Sequence, residues 1–219
     1  MVEGVKNIKE VINSSIQIDT IYTTEEIFAP KNFQCKTIHA KDLKKISQLV
    51  SPNVALAVCE IPAPQPIQKE GFILALDDVR DPGNLGTIIR MADWFGIDQI
   101  ICSEQTVDLY NPKVIQASMS SFLRVQVNYV DLGSFFSSYE HPILGTFMEG
   151  ENVYQTQFPT QGVLLMGNEA NGISDNLCQM VTQKITIPRL GNLQATESLN
   201  VAMATSMILG ERASALFKS

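Results

Sequence analysis

Short apolar runs recur along the chain, and between them apolar residues return every three or four positions. The first pattern reads as buried strand and the second as amphipathic helix. After residue 70 the alternation is regular. Strands are expected at Phe72–Leu76, Gln99–Cys102, Leu123–Val127, Ile143–Phe147, Val163–Met166 and Lys184–Ile187. Helices are expected at Leu85–Phe95, Asn111–Met119, Leu132–Ser138, Asp175–Val181 and Leu199–Leu216. Strands that are apolar along nearly their whole length predict a mostly parallel sheet with helices on both faces, an α/β fold.

The first sixty residues carry a smaller version of the same alternation. Val5–Ile12 reads as helix, Ile16–Tyr22 as strand, Thr24–Phe28 as a short helical turn and Gln34–Ile38 as strand. Lys41–Leu49 then reads as helix and Val54–Cys59 as strand. Prolines 62, 64 and 66 make a stiff extended connector. The expected organisation is a small α/β domain over 1–62, a proline-rich linker over 63–70 and a larger domain over 71–219.

Composition narrows the class. Of 219 residues, 45% are hydrophobic and 18% charged, an ordinary globular balance. No run reaches the roughly 20 apolar residues that span a bilayer, and the start MVEGVKNIKEVI lacks a signal peptide's apolar block. A cytoplasmic protein with no membrane partner is expected. Cys35, Cys59, Cys102 and Cys178 have no paired spacing, and His39 and His141 have no companions, so no metal is expected. Charge points away from a nucleic-acid partner. The net charge is −7, and it arises after residue 66, where nine basic residues face sixteen acidic ones. The cluster Lys36, Lys41, Lys44 and Lys45 is either an RNA-facing strip or one solvated helix face.

In parallel α/β sheets ligands bind where strands run into helices, and three such loops are unusual. The first holds Asn84, Gly86 and Arg90. Asn84 is suited to cap the helix or to hydrogen-bond something beside it, and Arg90, leaning back along the helix, is expected over the space that Gly86 leaves. The G-x-G-x-x-G dinucleotide fingerprint is missing there. In the second, Gly167-Asn168-Glu169 ends an apolar strand; Gly172 is expected at positive φ and Ser174 as a cap. Glu169 could serve as a cap, a ligand contact or a partner for Arg90. The third runs from Ile187-Pro188 to Glu197-Ser198-Leu199-Asn200-Val201, before a helix apolar nearly all round, which reads as a core helix or a subunit interface.

In this order, at these strand ends, the three loops resemble the SpoU (TrmH) family of RNA ribose 2′-O-methyltransferases. The likeness covers roughly residues 70–217, and Val2-Glu3-Gly4 looks like part of the family's small RNA-binding domain, here N-terminally truncated. The resemblance implies a deep trefoil knot of the SPOUT type in the C-terminal part, a homodimer, and S-adenosylmethionine as cofactor. It implies a cofactor pocket of Thr146, Phe147, Met166, Gly167, Ile187, Ser198 and Leu199. Arg90, Asn84, Glu169, Ser198 and Asn200 would form the reacting end. Two departures stand out: the stretch 189–196 is longer than in many members, and Gln116 and Ser120 replace an arginine and a glycine often seen.

The expected reaction moves a methyl group from S-adenosylmethionine to a ribose 2′-hydroxyl of structured RNA, ribosomal or transfer. Arg90 would fix the substrate phosphate and stabilise the emerging alkoxide, with Asn84, Ser198 and Asn200 orienting it and Glu169 setting its pose. Two other readings stay open: a catalytically idle member that binds RNA, and an α/β enzyme acting on a small nucleotide-like molecule, which the acidity would suit.

Overall fold

Residues 1–29, 32–191 and 198–218 are described by the computed structural model, with Lys218 defined only in its backbone. Its larger sheet contains β5 (Phe72–Leu76), β6 (Gln99–Cys102), β7 (Gln126–Tyr129), β8 (Ile143–Asn152), β9 (Gly162–Met166) and β10 (Gln183–Thr186). All pairings are parallel, in the order β10-β8-β9-β5-β6-β7. Every residue of β5, β6 and β9 is buried, as strands covered on both faces must be.

The period-two alternation divides that burial between two cores. Leu74, Leu76, Ile100, Leu164 and Met166 face one side, with α3 (Pro82–Trp94), α4 (Pro112–Ser118) and α7 (Val201–Lys218). Ile73, Ala75, Ile101, Val163 and Leu165 face the other, with α5 (Leu132–Ser137) and α6 (Asp175–Cys178). Each fully buried isoleucine or leucine contributes roughly 1.5–3 kcal/mol.

The smaller sheet joins β1 (Val2–Glu3), β2 (Ile18–Thr23), β3 (Gln34–Thr37) and β4 (Ala55–Cys59) in the order β1-β4-β2-β3. α1 (Val5–Ile12) extends the first core, through Ile8 and Val11, into this unit; α2 (Ala40–Ile46) carries Leu43 inward. Two polar links reinforce the contact. Ser120 Oγ donates to Asn7 Oδ1 at 3.0 Å, and Arg124 reaches Glu10 at 3.0 Å. The connector is held too: Gln126 Nε2 and Asn128 Nδ2 both donate to the Gln65 carbonyl at 2.9 Å.

Some sequence expectations need correction. Thr24–Phe28 is an irregular bend, because Thr23 Oγ1 takes up the local backbone groups that a helical turn would use. The strand expected over 123–127 begins at Gln126, after a 3-10 turn at Ser121–Leu123. Helix α3 starts at Pro82, a residue type favoured at a first helical position, and its N-cap is Asp81, whose Oδ1 accepts the Asn84 amide at 2.8 Å. Asn84 is thus inside the helix and its side chain is free for other work. Strand β8 runs five residues beyond Phe147, for a reason that concerns the site.

Candidate active site

A cleft of about 1560 Å³ opens at the C-terminal ends of β8, β9 and β10. Three departures from regular backbone shape its wall. The first is in β8. Lys184 of β10 pairs with Gly145, yet the next residue, Ile185, pairs with Glu151, so residues 146–150 are thrown out of the ladder. Thr146 and Phe147 on this bulge line the cleft. At Gly150 a Cβ would lie 2.7 Å from the Lys184 carbonyl oxygen, so only glycine lets the bulge close.

The second departure follows β9. Asn168 and Gly172 exchange two backbone hydrogen bonds at 2.9 Å, folding 167–173 into a tight loop. Gly172 adopts φ +70°, as its sequence context suggests. A Cβ on Gly167 would stand 2.2 Å from the Gly172 carbonyl carbon. Asn168 pins the loop: its Nδ2 donates to the Asp78 carbonyl at 2.7 Å, and its Oδ1 accepts the amides of Ala170 and Asn171. Asp77, buried, accepts the Ser174 amide through Oδ2 at 2.8 Å. Ser174 precedes α6 without a side-chain capping bond, so there its backbone matters more than its hydroxyl.

The third wall is the chain leaving β10, with Ile187, and the entry to α7, with Ser198 and Leu199. All seven residues that the resemblance assigns to a cofactor line this one cleft: Thr146, Phe147, Met166, Gly167, Ile187, Ser198 and Leu199. The sequence reading missed Lys184, whose ammonium sits 4.8 Å from the Phe147 ring centre, and Met207 and Ile208 of α7. Alternation along β10 was the one available signal for Lys184; no local signal marks the α7 pair. The cleft exceeds the roughly 300–1,000 Å³ of common ligand pockets, so it has room beyond one small molecule. Residues 192–196 of the longer stretch, and Glu197 of the third motif, lie outside the described residues.

At the mouth of the cleft three side chains from separate loops are joined in line. Asn84 Nδ2 donates to Glu169 Oε1 at 2.7 Å, across 85 residues of sequence. Asn200 Nδ2 donates to Asn84 Oδ1 at 2.8 Å, across 116 residues. The other end of the Asn200 amide caps α7, its Oδ1 accepting the amides of Ala202 and Met203. Both faces of the Asn84 amide are therefore used, and its orientation is fixed. Glu169 is engaged with Asn84 and not with Arg90.

Arg90 stands apart. It is exposed on α3 and, among the described residues, has no hydrogen-bonding or ionic partner. The space expected above Gly86 is filled. A Cβ there would meet the Ala117 Cβ at 2.5 Å and the Val114 carbonyl at 2.8 Å, so Gly86 exists to let α4 pack against α3. Arg90, one turn along, emerges beside this helix pair and is not part of the cleft wall. Ser120 stands at φ +71°, a conformation that favours glycine, which explains why a glycine suits this position; its hydroxyl bond to Asn7 offsets the strain.

Among the described residues no group of three or more His, Cys, Asp or Glu could hold a metal ion, and no helix is long and apolar enough to cross a membrane.

Comparison with known proteins agrees with this geometry. Residues 71–210 match the profile of the SpoU rRNA Methylase family. The chain is 26% identical over 217 residues to the 23S rRNA (guanosine(2553)-2′-O)-methyltransferase of Bacillus subtilis (strain 168), covering 95% of this chain and 86% of that protein. It is 30% identical over 175 residues to the 23S rRNA (uridine(2479)-2′-O)-methyltransferase of Streptomyces viridochromogenes, covering 74% of this chain and 60% of that protein. Among solved structures, a TrmH-family protein from Porphyromonas gingivalis superposes with a TM-score of 0.85 at 34% identity, covering 96% of this chain and 87% of that one. An AdoMet-bound rRNA methyltransferase from Sinorhizobium meliloti superposes with a TM-score of 0.84 at 26% identity, covering 96% and 85%.

Proposed function

The chain belongs to the SpoU rRNA methylase family and is an S-adenosylmethionine-dependent RNA ribose 2′-O-methyltransferase; from that premise we propose that it modifies ribosomal RNA, acts as a homodimer and uses Arg90, Asn84, Glu169, Ser198 and Asn200 at the reacting end. Its C-terminal part has the family's trefoil knot, an exception to the rule that chains do not thread their own loops. The observation that carries the proposal is the bonded line Glu169–Asn84–Asn200 at the mouth of the cleft.

The cleft suits the cofactor. Gly167 and Ile187 line it, and their amides and carbonyls would be available to an adenine edge, while Phe147, Met166 and Leu199 offer apolar surface. When bound, the cofactor supplies an activated methyl group on a sulfonium. The residues here must then hold the 2′-oxygen in line with that group and manage its proton. Alignment of this kind lowers a barrier by as much as roughly 7–11 kcal/mol. Arg90, a rigid five-donor fork, grips the target phosphate and stabilises charge growing on the 2′-oxygen. A guanidinium with a pKa above about 12 is a poor base, so positioning and electrostatics are its main contribution. Asn84, held at both ends, would support the ribose, and Glu169 would supply negative charge to offset the cofactor's sulfonium.

The homodimer reading has two supports. Leu199, Met203, Met207 and Phe217 leave an apolar stripe exposed along α7, and Met148 and Tyr154 extend it around the cleft. Arg90 is exposed on α3 and does not line the cleft of its own chain, so in the proposed dimer the cleft is served by the Arg90 of the second copy. For RNA the small unit offers Lys41, Lys44 and Lys45, all exposed on or beside α2, and Lys36 above the Tyr22 ring.

The test is transfer of labelled methyl from S-adenosylmethionine to unmodified ribosomal RNA, followed by nucleoside analysis. A 2′-O-methylated nucleoside is the expected product. A methylated base would overturn the ribose assignment, and transfer confined to transfer RNA would overturn the substrate.

A further inference from the structure

The face of α3 that carries Arg90 also carries Trp94, one helical turn further on. Side chains four residues apart on a helix have Cβ atoms roughly 5–6 Å apart, and long side chains lean toward the helix N-terminus. The indole and the guanidinium therefore share one exposed strip of the helix. Trp94 is 82% exposed, while most large apolar side chains of α3 are buried in the sheet's first core. It is also the only tryptophan in the chain.

The charges around it are arranged in a particular way. Asp93, its neighbour, accepts from Arg124 at 2.8 Å and from Ser121 at 2.7 Å, and Arg124 also holds Glu10. Arg124 thus offsets part of the acidic charge beside Trp94. Among the described residues Arg90 has no ionic or hydrogen-bonding partner, in a chain whose net charge is −7. An exposed ring one turn from an exposed cation is the combination that single-stranded nucleic acid uses: phosphate on the cation and base on the ring.

Resting on the reading of Arg90 as the phosphate-gripping residue, we propose that Trp94 is a substrate-binding residue on which a base at or next to the methylated nucleotide stacks. Stacking holds that base out of its helix and steadies the nucleotide whose phosphate Arg90 grips. The surface selects an unpaired base, so the substrate is a loop or bulge and not a continuous duplex.

Because Trp94 is unique, its fluorescence reports on this position alone. The experiment titrates full-length protein with an in vitro transcript of large-subunit ribosomal RNA, then compares steady-state methyl transfer for wild type, Trp94→Ala and Trp94→Phe. The expected result is an exposed-type emission, independent of protein concentration, that is quenched by RNA. Trp94→Ala should raise KM for RNA roughly 5- to 100-fold with a much smaller change in kcat, from the loss of one base stack, and Trp94→Phe should recover most of it. Unchanged KM in an otherwise active Trp94→Ala protein would overturn this proposal alone. Absence of transfer by the wild type would instead overturn the ribosomal reading. Emission that shifts to the blue as protein concentration rises, with no response to RNA, would make Trp94 a contact between copies and also overturn it.

Discussion

The cofactor cleft and the outer face of α3 are built by opposite means. The cleft is shaped by main chain that has no room for side chains: Gly150 against the Lys184 carbonyl, and Gly167 against Gly172. The α3 face is shaped by side chains that project into solvent, Arg90 and Trp94, on a helix whose other faces are fixed by the sheet, α4 and α7. Asn84 links the two regions, through Glu169 on one side and Asn200 on the other. A binding pocket made of backbone tolerates little change. A reacting surface made of exposed side chains can be altered without harm to the fold, so mutations should separate the two functions cleanly.

The largest effect is expected from Gly167→Ala, because the new methyl would stand 2.2 Å from the Gly172 carbonyl carbon and force the loop open. Calorimetric titration should show affinity for S-adenosylmethionine reduced roughly 100-fold or more, with turnover lost as well. Unchanged affinity would remove that loop from the cofactor site. Next comes Arg90→Ala. Its turnover should fall about 10²–10³-fold, the cost of losing a preorganised charge donor, while the cofactor dissociation constant stays within about twofold of wild type. A joint loss of affinity and turnover would merge two regions held here to be distinct.

Asn84→Ala should have a smaller effect than either. It leaves Glu169 and Asn200 without their partner, a penalty of about 1–3 kcal/mol, expected mainly in turnover and only weakly in cofactor affinity. Gly86→Ala tests the scaffold beneath Arg90. With its Cβ 2.5 Å from that of Ala117, the variant should lose about 1–3 kcal/mol, read as a lower Tm with cofactor affinity retained. Arg124→Ala should have the smallest effect at neutral pH, within about 1 kcal/mol, because the cluster is largely exposed. Hydrogen bonding to Arg124 holds the Asp93 carboxyl below the usual carboxylate range. That contribution is present above the unfolded-state value and is lost as pH falls through the folded one. The stability difference between wild type and Arg124→Ala should therefore shrink in acid and stay constant from neutral upward.

Much of the large sheet was legible in the chain because β5, β6 and β9 are apolar throughout, a signal that survives any tertiary context. The residues of the cleft came from motif resemblance, since nothing local marks Thr146 or Ile187 as neighbours. What the sequence hid depends on packing. Gly86 reads as an opening and proves to be a helix–helix contact, because a glycine says only that a Cβ is unwelcome, not what takes its place. Asn84 reads either as a cap or as a partner for a group beside the helix; Asp81 holds the cap position, and the Asn84 amide links the loops. The β8 bulge has no periodic signature, and the reach of Asn168 to Asp78 spans 90 residues.

The central claim is that the cofactor cleft of one protomer is served by Arg90 of another. The most direct measurement mixes two inactive proteins, Arg90→Ala and Gly167→Ala, as unfolded chains, refolds them together, and assays methyl transfer to ribosomal RNA. Mixed dimers hold one intact cleft facing one intact arginine, so activity should return well above either parent. A mixture as inactive as its parents, with mixed dimers shown to form, would mean that each arginine serves its own cleft and would contradict the account.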